Sequence, residues 1–234
     1  MRALAIVHQR DAGPGVFADE IRARGVELDE WLLSERGTAP AVEIAGYDAI
    51  LTFGGAMHAD QEDRHPWLRF EKDFLAAMID DRMPLLAVCL GSQLLAEAAG
   101  GSARRASEPE IGWHRVEVTE EGRADPLLGP MAPGFEAFQW HSYEALPPES
   151  ATLLARSPVC AQAYRVGEVA WAIQFHAEVS AADAEAWIDD YRSDEDAVRI
   201  GVDPEALRTE TREKIGDWSH LGRELCGRFL EAVG

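Results

Sequence analysis

Residues 85–99 predict a buried strand, a sharp turn and a helix, with a cysteine at the turn. The apolar run 85–88 ends at Cys89, and a helical pattern begins at Gln93. Ala87 and Gly91 stand two places to either side of Cys89, and a crowded turn of this kind needs small neighbours. Such an elbow exposes a nucleophile at the edge of a sheet. The positive end of the following helix favours thiolate over thiol.

Two distant segments supply the groups that a cysteine nucleophile needs. Residues 172–175 read as a strand that delivers His176, and Glu178 follows two places later. If the strand continues that far, His176 and Glu178 lie on one face, because positions i and i+2 of a strand share a face. Another strand runs into Gly54 and Gly55, where backbone N–H groups can approach a ligand as an oxyanion hole. Cysteine, histidine and carboxylate are the parts of an activated nucleophile.

These segments resemble the motifs of the class I, triad-type glutamine amidotransferases. The segment 87–93 (AVCLGSQ) is similar to the family's G-x-C-x-G-x-Q signature, and the segment 175–178 (FHAE) is similar to F-H-P-E. The glycine-rich segment 53–57 resembles the oxyanion strand of the same family. The resemblance covers roughly residues 1–180 and points to stand-alone relatives of the amidotransferase domain of GMP synthetase.

The resemblance implies a set of site residues. Cys89 is expected to be the nucleophile, His176 the base and Glu178 the carboxylate that orients the base. The expected oxyanion and substrate-binding residues are Gly54, Gly55, Leu90, Gln93, His141, Ser142 and Tyr143. No metal or cofactor is expected, because no Cys or His pair has zinc-like spacing and the sequence shows no P-loop for ATP.

Three positions depart from the family pattern. Ala87 replaces a glycine, Ala177 replaces a proline, and Tyr143 stands where related enzymes tend to carry the aspartate of His-Gly-Asp. A carboxylate at the last position can pair with the α-amino group of glutamine, whereas a tyrosine offers a neutral hydroxyl and a ring face. Two interpretations stay open: Tyr143 weakens activity on free glutamine, or Tyr143 points away and backbone groups near Ser142 bind the substrate.

The order of predicted elements indicates an α/β fold. Strands and helices alternate over the first part of the chain, at 3–8, 14–24, 26–31, 48–53, 66–81 and 84–88. Such alternation is typical of a doubly wound, mostly parallel, flavodoxin-like sheet. From Trp113 onward, short strands with little helix between them predict an antiparallel insertion. A helical tail over about 180–234 is read as helices at 181–191, 204–215 and 218–232, and the whole chain, 1–234, is expected to form one amidotransferase-like domain.

The amino-acid composition argues against two classes of binding partner. The formal charge is −20 and the pI is about 4.6, which argues against nucleic acid and against anionic membrane surfaces. No apolar run is long enough to cross a bilayer and no signal peptide is visible, so a cytoplasmic location is expected. The three cysteines are widely spaced and do not suggest a disulfide framework.

Together these features predict hydrolysis of the side-chain amide of glutamine, or of a related γ-glutamyl compound, through a γ-glutamyl thioester. The sequence shows no synthetase domain. Either the ammonia passes to a separate synthetase subunit, or the chain is a stand-alone γ-glutamyl peptide hydrolase. A catalytically silent binding or regulatory module is a further alternative, against which the intact Cys89, His176 and Glu178 argue. Cysteine hydrolases and chaperones of the stress type share the elbow but typically lack the His-x-Glu segment.

Several other features are interpreted as structural or left open. Residues 110–113 (EIGW) fit an element near the mouth of related active sites, and they fit equally well a turn that leads into a strand. His8 is predicted to be structural, and Trp187 and Trp218 are predicted to be packing residues. The acidic run 189–196 is predicted to be a solvated helix end.

Overall fold

The computed structural model describes residues 1–33 and 46–234. The described residues contain nine strands: β1 (Arg2–Val7), β2 (Glu27–Leu32), β3 (Ala49–Thr52), β4 (Leu85–Val88), β5 (Ser102–Val118), β6 (Gly134–Leu146), β7 (Thr152–Arg156), β8 (Ala161–Val166) and β9 (Ala170–Ile173). They form one sheet in the order β2-β1-β3-β4-β9-β8-β7-β5-β6.

The sheet has a parallel half and an antiparallel half. β2, β1, β3, β4 and β9 are parallel neighbours, and β3 and β4 are buried throughout, as is typical of strands covered on both faces. Strands β5 to β8 come between β4 and β9 in the chain and extend the sheet beyond β9 by antiparallel pairing. This arrangement confirms the predicted α/β fold with an antiparallel insertion, and the sheet as a whole is mixed, because the insertion contributes as many strand pairings as the parallel half.

Helices cover both faces of the parallel half. The described helices are α1 (Gly15–Ala23), α2 (Trp67–Asp80), α3 (Leu90–Ala98), α4 (Glu120–Ala124), α5 (Ala181–Asp189), α6 (Glu195–Arg199) and α7 (Pro204–Val233). Alternate residues of β1 serve the two faces: Ala5 and Val7 join a core with α1 and α7, whereas Leu4 and Ile6 join a core with α2 and α3. Within the described ranges, no helix combines the length and apolarity needed to cross a membrane.

The C-terminal helix differs from the prediction of two helices. α7 runs without a break through Gly216 and Asp217, where the sequence indicates a boundary. These two residues lower helix propensity, but Ile215 and Trp218 on either side are buried in the same core. Packing of that apolar face therefore carries the helix through the weak point, since tertiary contacts supply most helical stability in proteins.

Two strands are longer than predicted. β5 and β6 pair along most of their length, whereas the alternation in sequence indicates only 115–119 and 135–140. The additional residues of β5 include the EIGW segment 110–113. From the sequence, this segment fitted equally well an element near the mouth of the active site and a turn that leads into a strand. A register shift between Arg105 and Glu110, and a φ of +98° at Gly112, interrupt the alternation without ending the strand.

Two glycine-to-alanine substitutions test whether α7 is continuous, through their effects on the free energy of unfolding. A methyl group at Gly216 meets no atom within 4 Å. Gly216→Ala should therefore raise the free energy of unfolding by about 0.5–1 kcal/mol, because alanine loses less backbone entropy in a helix interior. Gly222→Ala, in the same helix, should destabilise the protein, because its Cβ lies 2.0 Å from the Ala177 carbonyl oxygen. Urea unfolding of both variants measures the difference, and equal destabilisation would contradict a continuous helix.

Candidate active site

Cys89 occupies a strained elbow between β4 and α3. Its φ of +52° and ψ of −108° lie in a region that non-glycine residues rarely adopt. Two backbone hydrogen bonds hold the turn: Cys89 N donates to Ile173 O at 2.9 Å, and Gly91 N donates to Phe53 O at 3.0 Å. A Cβ at Gly91 would lie 2.6 Å from Thr52 O, so only glycine fits there. The elbow predicted from the sequence is therefore present and tied to the two neighbouring strand ends.

His176 and Glu178 form a buried pair beyond the end of β9. The Nδ1–H group of His176 donates to Glu178 Oε1 at 2.7 Å, and both side chains are almost fully buried. The prediction that a continuing strand aligns them is wrong, because β9 ends at Ile173 and the following residues form a bend. The contact comes from this bend, which turns the carboxylate back to the ring.

The charge balance around His176 favours its protonated form. Burial lowers the pKa of His176, but the negative charges of Glu178 and Cys89, with their hydrogen bonds, outweigh burial and raise the pKa to about 10. Since Nδ1 is occupied by Glu178, Nε2 is the ring nitrogen that is left to interact with Cys89 at the cavity. The group can therefore hold a proton on Nε2 for delivery beside Cys89.

Helices α1 and α7 hold the His176–Glu178 bend by its backbone. Trp218 Nε1 donates to His176 O at 2.8 Å, and Val16 N donates to Glu178 O at 2.8 Å. Trp218 thus packs as predicted and also donates to the carbonyl of the candidate base. The sequence indicated no role in the site for the helical tail.

Two glycines allow these helices to approach the bend closely. A Cβ at Gly15 would lie 2.0 Å from Glu178 O, and a Cβ at Gly222 would lie 2.0 Å from Ala177 O. Real Cβ atoms do not come this near to a carbonyl oxygen, so both positions require glycine. Spacing patterns in the sequence gave no sign of either contact, because each joins segments far apart in the chain.

The glycine pair after β3 lies against both candidate catalytic side chains. A Cβ at Gly54 would lie 3.0 Å from Cε1 of His176 and 3.6 Å from Cβ of Cys89. Gly54 O accepts a hydrogen bond from His8 Nδ1 at 2.9 Å, while His8 Nε2 donates to Glu71 Oε2 at 2.8 Å. Burial lowers the pKa of His8, but Glu71 outweighs it and raises that pKa. His8 is therefore a positioning residue of the glycine pair, and Glu71 is a partner that the sequence did not reveal.

Most of the predicted site residues meet at one cavity of about 570 Å³. The predicted residues on its wall are Gly55, Cys89, Leu90, Gln93, His141, Ser142, Tyr143 and His176. Gly54 and Glu178 stand behind this wall, in contact with His176. The volume lies within the range of about 300–1,000 Å³ that is typical of sites for drug-sized ligands.

Gln93 and His141 both bind the main chain at Tyr143. Gln93 Nε2 donates to Tyr143 O at 3.2 Å, and His141 Nδ1 donates to the same oxygen at 3.0 Å. The opposite ring nitrogen of His141 lies 3.3 Å from Glu110 Oε2. These side chains therefore fix the backbone of the 141–143 segment at the cavity wall.

The side chain of Tyr143 is also held on the wall. Its ring stacks on His58 with centroids 4.1 Å apart, and its hydroxyl donates to Asp60 Oδ2 at 3.1 Å. Burial and the charge of Asp60 raise the pKa of the Tyr143 hydroxyl, which keeps it a donor. A carboxylate thus lies beside position 143, supplied by the loop after β3.

Comparison with protein families agrees with the site. The family model "Glutamine amidotransferase class-I" matches residues 16–190, more than half of the chain. The chain belongs to this family. A solved glutamine amidotransferase from Thermotoga maritima has 28% sequence identity and a TM-score of 0.88, with 99% of this chain and 98% of that chain covered.

Several curated proteins are also similar to this chain. The glutamine amidotransferase-like protein YfeJ of Salmonella typhimurium is 27% identical over 192 residues, with 80% of each chain covered. One of the subunits of the glutamine-hydrolysing GMP synthase of Sulfolobus acidocaldarius is 30% identical over 58% of this chain and 70% of its own. A γ-glutamyl-L-1-hydroxyisopropylamide hydrolase of a Pseudomonas species is 26% identical over 64% of this chain and 53% of its own.

A second buried cluster includes His141. Ligand atoms of Glu110, His141 and Cys160 fall within 4.8 Å of one another and could hold a metal ion. However, Glu110 Oε2 already accepts hydrogen bonds from Ser157 Oγ at 3.0 Å and Gln162 Nε2 at 2.8 Å. Burial and Glu110 raise the pKa of the Cys160 thiol, which favours the protonated form over a metal-binding thiolate. The cluster joins β5, β6 and the turn before β8, which are far apart in the chain, so sequence spacing could not show it.

The acidic run 189–196 is not simply the predicted solvated helix end. Asp190, Asp194, Glu195 and Asp196 all line the cavity. Asp194 is partly buried, caps α6 through hydrogen bonds from two backbone N–H groups, and accepts from Trp140 Nε1 at 2.9 Å. Trp187, predicted to be a packing residue, also lines the cavity, and its ring meets that of His176 edge to face at 4.8 Å.

Removing the charge of Glu178 should lower the pKa of His176. An imidazolium loses its main stabilising partner in Glu178→Gln, so its proton should leave at lower pH than in the wild type. Cys89→Ala should lower the pKa less, and the double variant should titrate below the ordinary histidine value, because burial then dominates. Glu185→Gln, which removes a carboxylate paired with Arg208, is the control and should leave His176 unchanged. NMR titration of labelled histidine measures all four variants; an unchanged His176 pKa in Glu178→Gln would contradict the pairing.

Proposed function

We propose that this chain is a cysteine-dependent amidohydrolase that acts on the side-chain amide of glutamine or of a related γ-glutamyl amide. The observation that carries the proposal is the meeting of a strained Cys89 elbow with the His176–Glu178 pair at one cavity. Members of the class I glutamine amidotransferase family are enzymes, and the residues that match the family motifs are intact. This combination opposes the alternative of a silent binding module.

In the proposed reaction, the thiolate of Cys89 attacks the γ-carbonyl carbon of the substrate. Backbone N–H groups at Gly55 and Leu90 stabilise the oxyanion, since both residues flank Cys89 at the cavity wall. The C–N bond breaks as His176 Nε2 gives its proton to the departing nitrogen. Water, deprotonated by His176, then attacks the γ-glutamyl thioester and releases glutamate. Glu178 stays ionised and holds the imidazole by Nδ1.

Three features favour a γ-glutamyl amide larger than glutamine. The cavity extends well past Cys89 to α5 and α6, and Tyr143 replaces the aspartate expected to bind the α-amino group of glutamine. The Pseudomonas relative is named for hydrolysis of a substituted γ-glutamyl amide. We therefore favour a stand-alone hydrolase.

A second candidate function is the supply of ammonia to a separate synthetase subunit. The similarity to a component of a glutamine-hydrolysing GMP synthase supports this candidate. Glutamate release by the purified chain alone separates the two: a stand-alone hydrolase turns over without a partner, whereas an ammonia-supplying subunit needs one for full activity. The cytoplasmic location expected from the sequence stays a prediction.

Loss of the nucleophile should abolish activity selectively. Cys89→Ala should reduce kcat by at least about ten-thousandfold and prevent labelling by a γ-glutamyl electrophile, because no thioester can form. Cys226→Ala is the control: burial raises the pKa of the Cys226 thiol, so it should neither react nor contribute. Glutamate release and peptide mass spectrometry report the two effects, and labelling of Cys226 or Cys160 would refute the assignment.

Loss of the base should be nearly as severe as loss of the nucleophile. His176→Ala should approach the defect of Cys89→Ala, whereas Glu178→Gln should lower kcat less, on the order of a thousandfold, because the ring stays in place without its charged partner. Steady-state kinetics across the pH range measures both variants. Unchanged turnover of Glu178→Gln at every pH would remove Glu178 from the mechanism.

A further inference from the structure

The orientation of His176 fixes the side of the cavity that receives the leaving group. Nδ1 is occupied by Glu178, so the proton for the departing nitrogen comes from the buried Nε2, on the side of Cys89. The departing nitrogen must come within hydrogen-bond reach of Nε2, at about 2.6–3.2 Å. Any substituent on that nitrogen therefore lies beside His176, next to the ring of Trp187. This step rests on the function proposed above.

Two indole rings continue from His176 to a carboxylate. Trp187 and Trp140 lie edge to face with centroids 6.1 Å apart, and Trp140 Nε1 donates to Asp194 Oδ2 at 2.9 Å. All three side chains line the same cavity. Aromatic faces and a carboxylate are the groups that bind organic cations, through cation–π and charge-assisted contacts.

The charges on the cavity wall are unbalanced. Five acidic side chains and two arginines line it: Asp11, Asp190, Asp194, Glu195 and Asp196 against Arg64 and Arg105. Arg105 pairs with Asp196, which leaves that pair nearly neutral. Asp194 accepts only from neutral donors, namely Trp140 Nε1 and two backbone N–H groups, so its negative charge is not compensated by an ion pair among the described residues.

The geometry points to γ-glutamyl amides of diamines or polyamines as the substrate class, with the free ammonium group of the leaving amine bound between Trp140, Trp187 and Asp194. Hydrolysis then consumes one water and yields glutamate and the free amine. A neutral alkyl chain gains only the indole contacts in this site. An anionic chain meets like charges, which are destabilising.

Three amides of matched length test the charge preference. The γ-glutamyl amides of 1,4-diaminobutane, pentylamine and 4-aminobutyrate carry a positive, neutral and negative end, respectively. The kcat/KM of the diamine amide should exceed that of the pentylamide by about tenfold, and the acidic amide should be the poorest substrate. The preference should shrink at high salt, because screening weakens the attraction.

Substitutions of two cavity carboxylates test whether these acidic side chains produce the preference for a positively charged leaving group. Asp194→Asn removes the charge of Asp194 but keeps an oxygen that can cap α6. Glu195→Gln removes a different cavity charge and leaves the hydrogen bond between Trp140 and Asp194 in place. Each variant should reduce the ratio of kcat/KM for the diamine amide to kcat/KM for the pentylamide. Asp203→Asn is the matched control, because Asp203 also caps a helix, α7, but does not line the cavity. Its ratio should equal that of the wild type.

The outcomes separate this inference from the proposed function. Hydrolysis of the pentylamide as fast as the diamine amide, or a ratio unaffected by both cavity variants, overturns the cationic substrate class and leaves the hydrolase intact. Failure to hydrolyse any γ-glutamyl amide, glutamine included, overturns the proposed function. Calorimetric binding of the same three amides to Cys89→Ala then tests the charge preference independently of turnover, and equal affinities would reject it.

Discussion

The strained backbone at Cys89 is the constraint around which the site is built. A non-glycine residue in such a conformation costs of the order of 1–3 kcal/mol, and it persists only where its surroundings over-determine it. Here the surroundings are the neighbouring strand ends: the carbonyl of Ile173 accepts from Cys89 N, and the carbonyl of Phe53 accepts from Gly91 N. The turn is thereby tied to the segments that carry His176 and Gly54. One strained residue sets the relative positions of all three parts of the proposed catalytic machinery.

Three buried histidine–carboxylate pairs lie around this turn. Each pair holds a different part of the candidate active site in place. His8 with Glu71 holds the carbonyl of Gly54, His176 with Glu178 orients the proposed base, and His141 beside Glu110 holds the carbonyl of Tyr143. Buried ion pairs contribute little net stability, because desolvation offsets their attraction. Their value here is positional, since each pair keeps one ring or one carbonyl of the site in a defined place.

The parts of the molecule that depend on local sequence were predictable, and the parts that depend on distant contacts were not. The elbow, the glycine pair and the parallel strands appear as short patterns, and the structure contains them. The unbroken α7 was missed because Gly216 and Asp217 weaken the helix locally, while the packing of Trp218 that overrides them is tertiary. The position of the acidic run 189–196 at the cavity was missed for a related reason. A run of carboxylates has the same composition on an open surface and beside a cavity, and only the tertiary contact with Trp140 shows which of the two environments it occupies.

The last helix has a consequence for synthesis of the chain. Trp218 and Gly222 of α7 hold the bend that carries His176 and Glu178, so this bend lacks two of its backbone contacts until α7 has folded. During translation, the sheet and the Cys89 elbow emerge from the ribosome before α7 does. A nascent chain can therefore present its thiol while the proposed base is still unanchored, and the proposed activity requires that α7 has emerged and packed against this bend.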